Sequence, residues 1–353
     1  MDFVHVETAQ TVRFGTGRAA EHLGAALDAL GAERVLLIAS PREIERAASL
    51  LPPARVAATF TDVVVHVPRP QADAARALAG SARPDAVVAV GGGSATGLAK
   101  VVAQDTGLPI VAVPTTYSGS EATETWGITD GLTKRNGVDP LVLPKAVVYD
   151  AALSSTLPLA LAVPSGINGI AHCIDAMWGP KTDPILRATA EEGLRQLAAA
   201  LRALVGDPED LVAREQALVG VYLAGRAYSQ AGSGMHHKIF PVLGGRFNLP
   251  HAPLHTALLP HVTAFNAPFA AEAAARIARA FGDDDALTGI DRFYDDVGAE
   301  RALSALGLEA GDIEESVELC LPMIPASNPR PVGPDELRSL LSAALNGERV
   351  GRR

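Results

Sequence analysis

The chain has 353 residues, of which 48% are apolar, 20% charged and 5% aromatic, with a formal net charge of −10. So much apolar material excludes a disordered chain, and at one domain per roughly 100–200 residues it predicts two domains. The acidic balance and the lack of any long Lys/Arg block argue against a nucleic-acid or anionic-membrane partner.

The N-terminus, MDFVHVETAQ, has acids and no apolar signal core, so no secretory segment is read there. Short β-branched runs then alternate with Ala-rich helical patterns. Strands are predicted at Arg34–Ala39, Val63–Val67, Asp85–Val90, Pro109–Val113 and Ala146–Tyr149, with helices at Arg18–Leu30, Arg42–Leu51, Gln71–Ser81 and Gly97–Thr106. Alternation of this kind implies βαβ units and a mainly parallel, Rossmann-like sheet. Near residue 155 the texture changes. Pro184–Leu204, Leu211–Ala231, Pro268–Phe281, Leu287–Gly298 and Pro334–Leu345 read as amphipathic helices with few strands among them. The prediction is an α/β N-terminal domain, residues 1–156, and an all-helical C-terminal domain, residues 157–353, facing each other across a cleft. The longest apolar runs, Leu157–Val163 and Ala86–Val90, fall short of the roughly 20 residues that span a bilayer. Cys173 and Cys320 form neither a disulfide framework nor a zinc-ribbon spacing. A soluble cytoplasmic enzyme with no membrane contact is expected.

Gly91-Gly92-Gly93-Ser94 follows a predicted strand and opens a predicted helix. Glycine lets the backbone approach an anion, and the first amides of the helix then point at a phosphate. The spacing is neither the Rossmann fingerprint nor a Walker loop. A glycine-rich turn without a ligand is the alternative. A second polar loop, Pro114-Thr115-Thr116-Tyr117-Ser118-Gly119-Ser120-Glu121, follows the next strand, where open α/β sheets bind ligands. A helix-capping loop would look the same. Ser40-Pro41-Arg42 after the first strand has no acid to grip a ribose hydroxyl, which admits either NADH or NADPH, with Arg42 as a 2′-phosphate partner.

His236, His237, His251, His255 and His261 lie close together in sequence, and Asn168 and His172 share one helical face. A cluster this dense favours an acid/base or metal site over packed core histidines. Three neutral histidines can hold a divalent ion. Asn168 brings no charge to one, however, so the residues leave metal binding open without a clear carboxylate ligand.

Together these motifs resemble the iron-containing alcohol dehydrogenase superfamily, and within it the maleylacetate reductases. Asp139-Pro140-Leu141-Val142-Leu143-Pro144, His236-His237-Lys238, Leu249-Pro250-His251 and Asn328-Pro329-Arg330-Pro331 add to the match, which runs from Phe14-Gly15-Thr16-Gly17 to about Leu345. The resemblance implies the dehydroquinate synthase-like fold of iron-containing alcohol dehydrogenases. It also implies reduction of the carbon–carbon double bond of 2-maleylacetate to 3-oxoadipate, in aromatic-compound degradation. Gly91, Gly92, Gly93, Ser94, Thr115, Thr116, Ser120 and Ser40 would hold NADH or NADPH. His172, His237 and His251 fall on three metal-ligand positions of metal-dependent relatives. The fourth ligand there is an aspartate, and here it is Asn168, as in the maleylacetate reductases, so no metal is expected. His172, His237, His251, Asn168 and Lys238 are the candidate catalytic groups. Tyr117, Arg135, Arg330 and His236 are the candidate contacts to a small dicarboxylate or enone substrate. A homodimer joined through the nucleotide domain, with the Phe14–Gly17 region contributing, is also implied.

The chain departs from the family pattern twice. The histidine usual four residues after His237 is Pro241, which predicts a kink or helix end beside the site. The glutamate expected after His172 is the shorter Asp175. These departures admit a diverged paralogue that reduces another enone or ketone, as in secondary metabolism, or a non-redox lyase or cyclase of the same fold.

Overall fold

The computed structural model describes residues 3–131 and 133–351. They form two compact units, residues 6–157 and residues 158–351 together with 3–5. The first unit runs β1 (Thr11–Phe14), α1 (Ala19–Ala29), β2 (Val35–Ile38), α2 (Ile44–Ser49), β3 (Val56–Phe60), α3 (Arg69–Ala82), β4 (Ala86–Gly91), α4 (Gly93–Thr106), β5 (Ile110–Pro114), β6 (Thr125–Asp130), β7 (Thr133–Val138), β8 (Ala146–Tyr149) and α5 (Ala151–Ser154). Six strands form one parallel sheet in the order β1-β8-β5-β4-β2-β3, while β6 and β7 make a separate antiparallel hairpin.

Every residue of β2 (VLLI) and β4 (AVVAVG) is buried, as expected of strands covered on both faces. Their period-two alternation divides the core. Val35, Leu37, Val88, Val90 and Val111 meet Leu23 and Leu27 of α1. Leu36, Ile38, Val87 and Ala89 meet Ala72 and Ala75 of α3 and Leu98 and Val102 of α4.

The predicted strand at Val63–Val67 is not one; the sheet edge is β3 instead. His66 and Val67 take positive φ, and Val65 is largely exposed. The segment turns toward β6, where Thr129 donates its amide to the Val67 carbonyl at 3.0 Å and its hydroxyl to the His66 carbonyl at 2.8 Å. Valine's strand preference expresses packing on a pleated face, and this stretch has no such face. The short edge strand β1 and the β6–β7 hairpin carry too little apolar pattern to be anticipated.

The second unit holds α6 (Leu159–Met177), α7 (Pro184–Gly206), α8 (Leu211–Ala231), α9 (Met235–Arg246), α10 (His251–Asn266), α11 (Ala271–Phe281), α12 (Ala286–Val297), α13 (Ile313–Cys320) and α14 (Pro334–Asn346), with no strand among its described residues. Helix α6 is long and apolar enough to cross a membrane, yet 72% of its most apolar stretch is buried inside the protein. It packs tightly because Gly166 and Gly169 lie against Leu201 and Leu197 of α7. A Cβ on either glycine would sit 2.8 Å from a leucine methyl. Gly193 and Gly220 bring α7 and α8 together in the same way.

Prolines lie inside α6, α9 and α10. Of the kink or helix end expected at Pro241, the helix end does not occur: α9 continues to Arg246. Ile239, Phe240 and Leu243 on both sides of the proline are buried in one core with Leu254, Val317 and Leu341. That burial outweighs the ~3 kcal/mol an interior proline costs. In α10, Pro260 cannot donate to the carbonyl of Thr256, and the buried hydroxyl of Tyr294 does so instead, at 2.7 Å. Tyr294→Phe is therefore expected to destabilise the fold by about 1–3 kcal/mol, the usual cost of an unsatisfied buried acceptor. Urea unfolding of the variant beside the parent measures this.

Candidate active site

The strand order reverses between β2 and β4, since β2 leads to β3 on one side and β4 to β5 on the other. Open α/β sheets bind ligands at such a point, beyond the carboxyl ends of the strands. Ser40 follows β2, Gly91–Ser94 follow β4, and Thr115–Ser120 follow β5. Gly91 has φ 142°, open to glycine and strained for other residues. Gly92 precedes α4 without a side-chain cap, so the first amides of this 14-residue helix are left to a ligand. The two loops touch. A Cβ on Gly92 would lie 3.0 Å from Oγ1 and Cγ2 of Thr116, and one on Gly93 would lie 3.2 Å from Oγ of Ser118. The amide of Thr115 donates to the Gly91 carbonyl at 3.0 Å. Glycine is thus required here for close approach as well as for turning.

A buried polar cluster supports the second loop. Lys100 is fully buried, and its ammonium donates to the Thr123 carbonyl and hydroxyl at 2.8 Å each and to the Thr125 carbonyl at 2.9 Å. Burial pulls its pKa down to about 7, while the carboxylates of Glu121 and Glu124 resist this. Burial raises the pKa of Glu121, whose Oε1 accepts from the Tyr149 hydroxyl at 2.7 Å. Sequence reading missed this cluster; a lone Lys and Glu in apolar helix and loop segments give no spacing signal. Two predicted substrate contacts in this unit lie elsewhere. Tyr117 is fully buried, a core side chain with no surface for a ligand. Arg135 is exposed on β7, opposite Ile128 of the hairpin.

In the second unit α6, α8, α9 and α10 bring the aromatic and imidazole rings together. Asn168 and His172, one turn apart on α6, are both buried. The His172 and His237 rings stack at 4.7 Å, and Tyr228 of α8 lies 4.5 Å from each. Oδ2 of Asp175 lies at hydrogen-bond distance, 2.9 Å, from the ring Nδ1 of His237. His236 shares a 2.8 Å hydrogen bond from Nε2 to Nδ1 of His255, which in turn stacks on Phe240 at 3.7 Å. His251, exposed at the start of α10, lies 5.1 Å from His255. Sequence reading missed Tyr228 and Phe240, because an aromatic inside an apolar helix looks like any core residue.

Burial, reinforced by neighbouring rings, pulls His236 and His237 down to about 3 and His172 and His255 well below the usual histidine range. At neutral pH the cluster is therefore a set of uncharged donors and acceptors. A dicarboxylate needs a cation beside it, and Lys238, half-buried next to His237, has no hydrogen bond or ion pair among the described residues. Arg330 does not join the cluster. It lies over Phe265 at 4.3 Å and Phe269 at 5.3 Å. Phe265 is ten residues along α10 from His255, about 15 Å at 1.5 Å per residue.

This donor set does not fit a divalent cation. Asn168 adds no charge. Among the described residues no three His, Cys, Asp or Glu side chains are placed to hold an ion.

Comparison with known proteins agrees over the whole length. Residues 9–151 match the model of the iron-containing alcohol dehydrogenases, and residues 162–345 match that of the Fe-containing alcohol dehydrogenase family, C-terminal. The chain is 42% identical to a maleylacetate reductase of Burkholderia cepacia, covering 96% of each chain. It is 38% identical to one of Pseudomonas sp. (strain P51), covering 99% of each. Among solved structures, an iron-containing alcohol dehydrogenase from Corynebacterium glutamicum superposes with TM-score 0.97 at 47% identity, covering 99% of this chain and 98% of that one. Maleylacetate reductase from Agrobacterium tumefaciens gives TM-score 0.94 at 35% identity, covering 99% of each.

Proposed function

The chain belongs to the iron-containing alcohol dehydrogenase family, and from that premise we propose that it reduces 2-maleylacetate to 3-oxoadipate with NADH or NADPH, without a catalytic metal, in aromatic-compound degradation. Near-full-length identity with several maleylacetate reductases carries this reading. The uncharged Asn168–His172–His237 set supports the metal-free part of it.

The amides at Gly92–Ser94 would bind the pyrophosphate, with Thr115, Thr116 and Ser120 along the cofactor and Ser40 and Arg42 near the ribose. When bound, the cofactor supplies a hydride to the alkene carbon conjugated to the ketone. The chain's own groups then have two tasks. Lys238 pairs with a substrate carboxylate. The Asn168 amide N–H and the ring N–H of neutral His172 hydrogen-bond the developing enolate, and the proton added to carbon comes from solvent water, taken up and handed on at Nε2 of His237. The enzyme is proposed to work in the cytoplasm as a homodimer. The free edge of β1, with Thr11 and Val12 exposed, supports a sheet-edge contact between two copies.

Pro241 favours a second reading, reduction of a different enone or ketone by the same cofactor. Purified protein mixed with reduced cofactor and fresh maleylacetate decides between them. The expected result is consumption of reduced cofactor at a rate that a chelator leaves unchanged. Loss of that rate on chelation would overturn the metal-free reading. Tight cofactor binding with no consumption would favour the second substrate.

A further inference from the structure

The carboxylate of Asp175 serves two partners with one oxygen. Helix α9 starts at Met235, and Gly234 before it has no side chain to offer the first amides. Oδ2 of Asp175, reaching over from α6, accepts the backbone N–H of His237, the third residue of α9, at 3.1 Å. That is the bond an N-cap side chain would make. The same oxygen lies 2.9 Å from the ring Nδ1 of His237, and since a carboxylate oxygen accepts, the proton of that bond belongs on Nδ1. With its proton on Nδ1, a neutral imidazole has its lone pair on Nε2. Nε2 is buried and has no hydrogen-bond partner among the described residues, so it is the ring atom left for a ligand. Gly234 belongs to the same construction. A Cβ there would lie 2.5 Å from Oδ1 and 2.8 Å from Cγ of Asp175, so only glycine leaves the carboxylate its place.

We propose that Asp175 is a positioning residue, one that holds His237 in the Nδ1–H tautomer and makes Nε2 the atom at which this ring takes up and passes on a proton. A helix cap alone would need only the backbone bond. The ring bond from the same oxygen ties the start of α9 to the orientation of a site histidine. This inference rests on the reading of His237 as a site residue of the reductase.

The test compares Asp175→Ala and Asp175→Asn with the parent, by ¹⁵N NMR of the histidine rings and by steady-state kinetics. In the parent, Nε2 of His237 should give the signal of an unprotonated ring nitrogen. Asp175→Ala should shift the proton to Nε2 and lower kcat by about 10²–10⁴-fold, the range for a misplaced acid/base group, with much less change in KM or cofactor affinity. Asp175→Asn presents the same kind of oxygen acceptor, so it should restore both the tautomer and most of kcat. Three results would overturn the proposal: a parent ring protonated on Nε2, an unchanged tautomer in the alanine variant, or an asparagine variant that regains the tautomer and stays slow. The NMR result does not depend on the substrate, so failure to turn over maleylacetate would count against the proposed function and leave the tautomer assignment to be judged separately.

Discussion

Gly93→Asp should bind NADH and NADPH at least ~100-fold more weakly than the parent, because like charges brought together in a binding site cost several kcal/mol. Gly93 is the first residue of α4, where uncapped amides and the helix dipole favour a phosphate. Aspartate there brings a carboxylate to the place of the pyrophosphate. Its Cβ also meets Ser118 at 3.2 Å. Gly93→Ala adds only the steric part and should lose much less. Cofactor fluorescence titration measures both, with circular dichroism to show that the fold survives. Parent-like affinity in the aspartate variant would place the cofactor phosphates elsewhere.

Acid should unfold this protein early. His236 and His237 are held down to about 3 and His261 to about 4, chiefly by burial. Their folded values lie below the unfolded value near 6.5, so the unfolded chain binds more protons as pH falls. The stability they allow is present above about pH 6.5 and is lost progressively toward pH 3–4. Between pH 7 and 5.5 each such ring costs about 1 kcal/mol. His172 and His255 act in the same direction. Asp175 and Glu121, raised by burial, act in the opposite one, stabilising the fold when protonated and losing that contribution as pH rises. Five rings against two carboxyls leave a net loss on acidification. Urea midpoints measured from pH 7 to 5.5 should fall steadily. A flat profile would mean that the fold accommodates protonated rings.

The elements that were legible in the sequence are those whose burial is written into their own residues. The all-apolar β2 and β4 show themselves, as does α7, whose Leu194, Leu197, Leu201 and Leu204 recur on one face. The Gly91–Ser94 loop is legible because glycine marks a geometric need. Val63–Val67 misleads because a run of valines describes a strand without saying whether a sheet is there to receive it. At the site, the histidines and Asn168 stand out by residue type. The partners that define their chemistry do not. Tyr228 comes from α8, and Asp175 meets His237 across 62 positions of chain. Arg330 shows the converse case: a motif that suggests a carboxylate contact places its guanidinium on two phenylalanine rings away from the cluster.

The loan of Asp175 to α9 also bears on the order in which the molecule assembles. A helix of 12 residues that contains an internal proline and has no local cap is a poor helix by itself. Its first turn gains an acceptor only when α6 has formed and the chain between Asp175 and His237, 62 positions apart, has closed into a loop, at an entropy cost that precedes any gain. Helices α7 and α8, each capped by its own aspartate, Asp183 and Asp210, can form within that loop first. Helix α9, which carries His236 and His237, thus gains its first-turn acceptor only from α6, and a nascent chain has no assembled histidine site until its helical unit has closed.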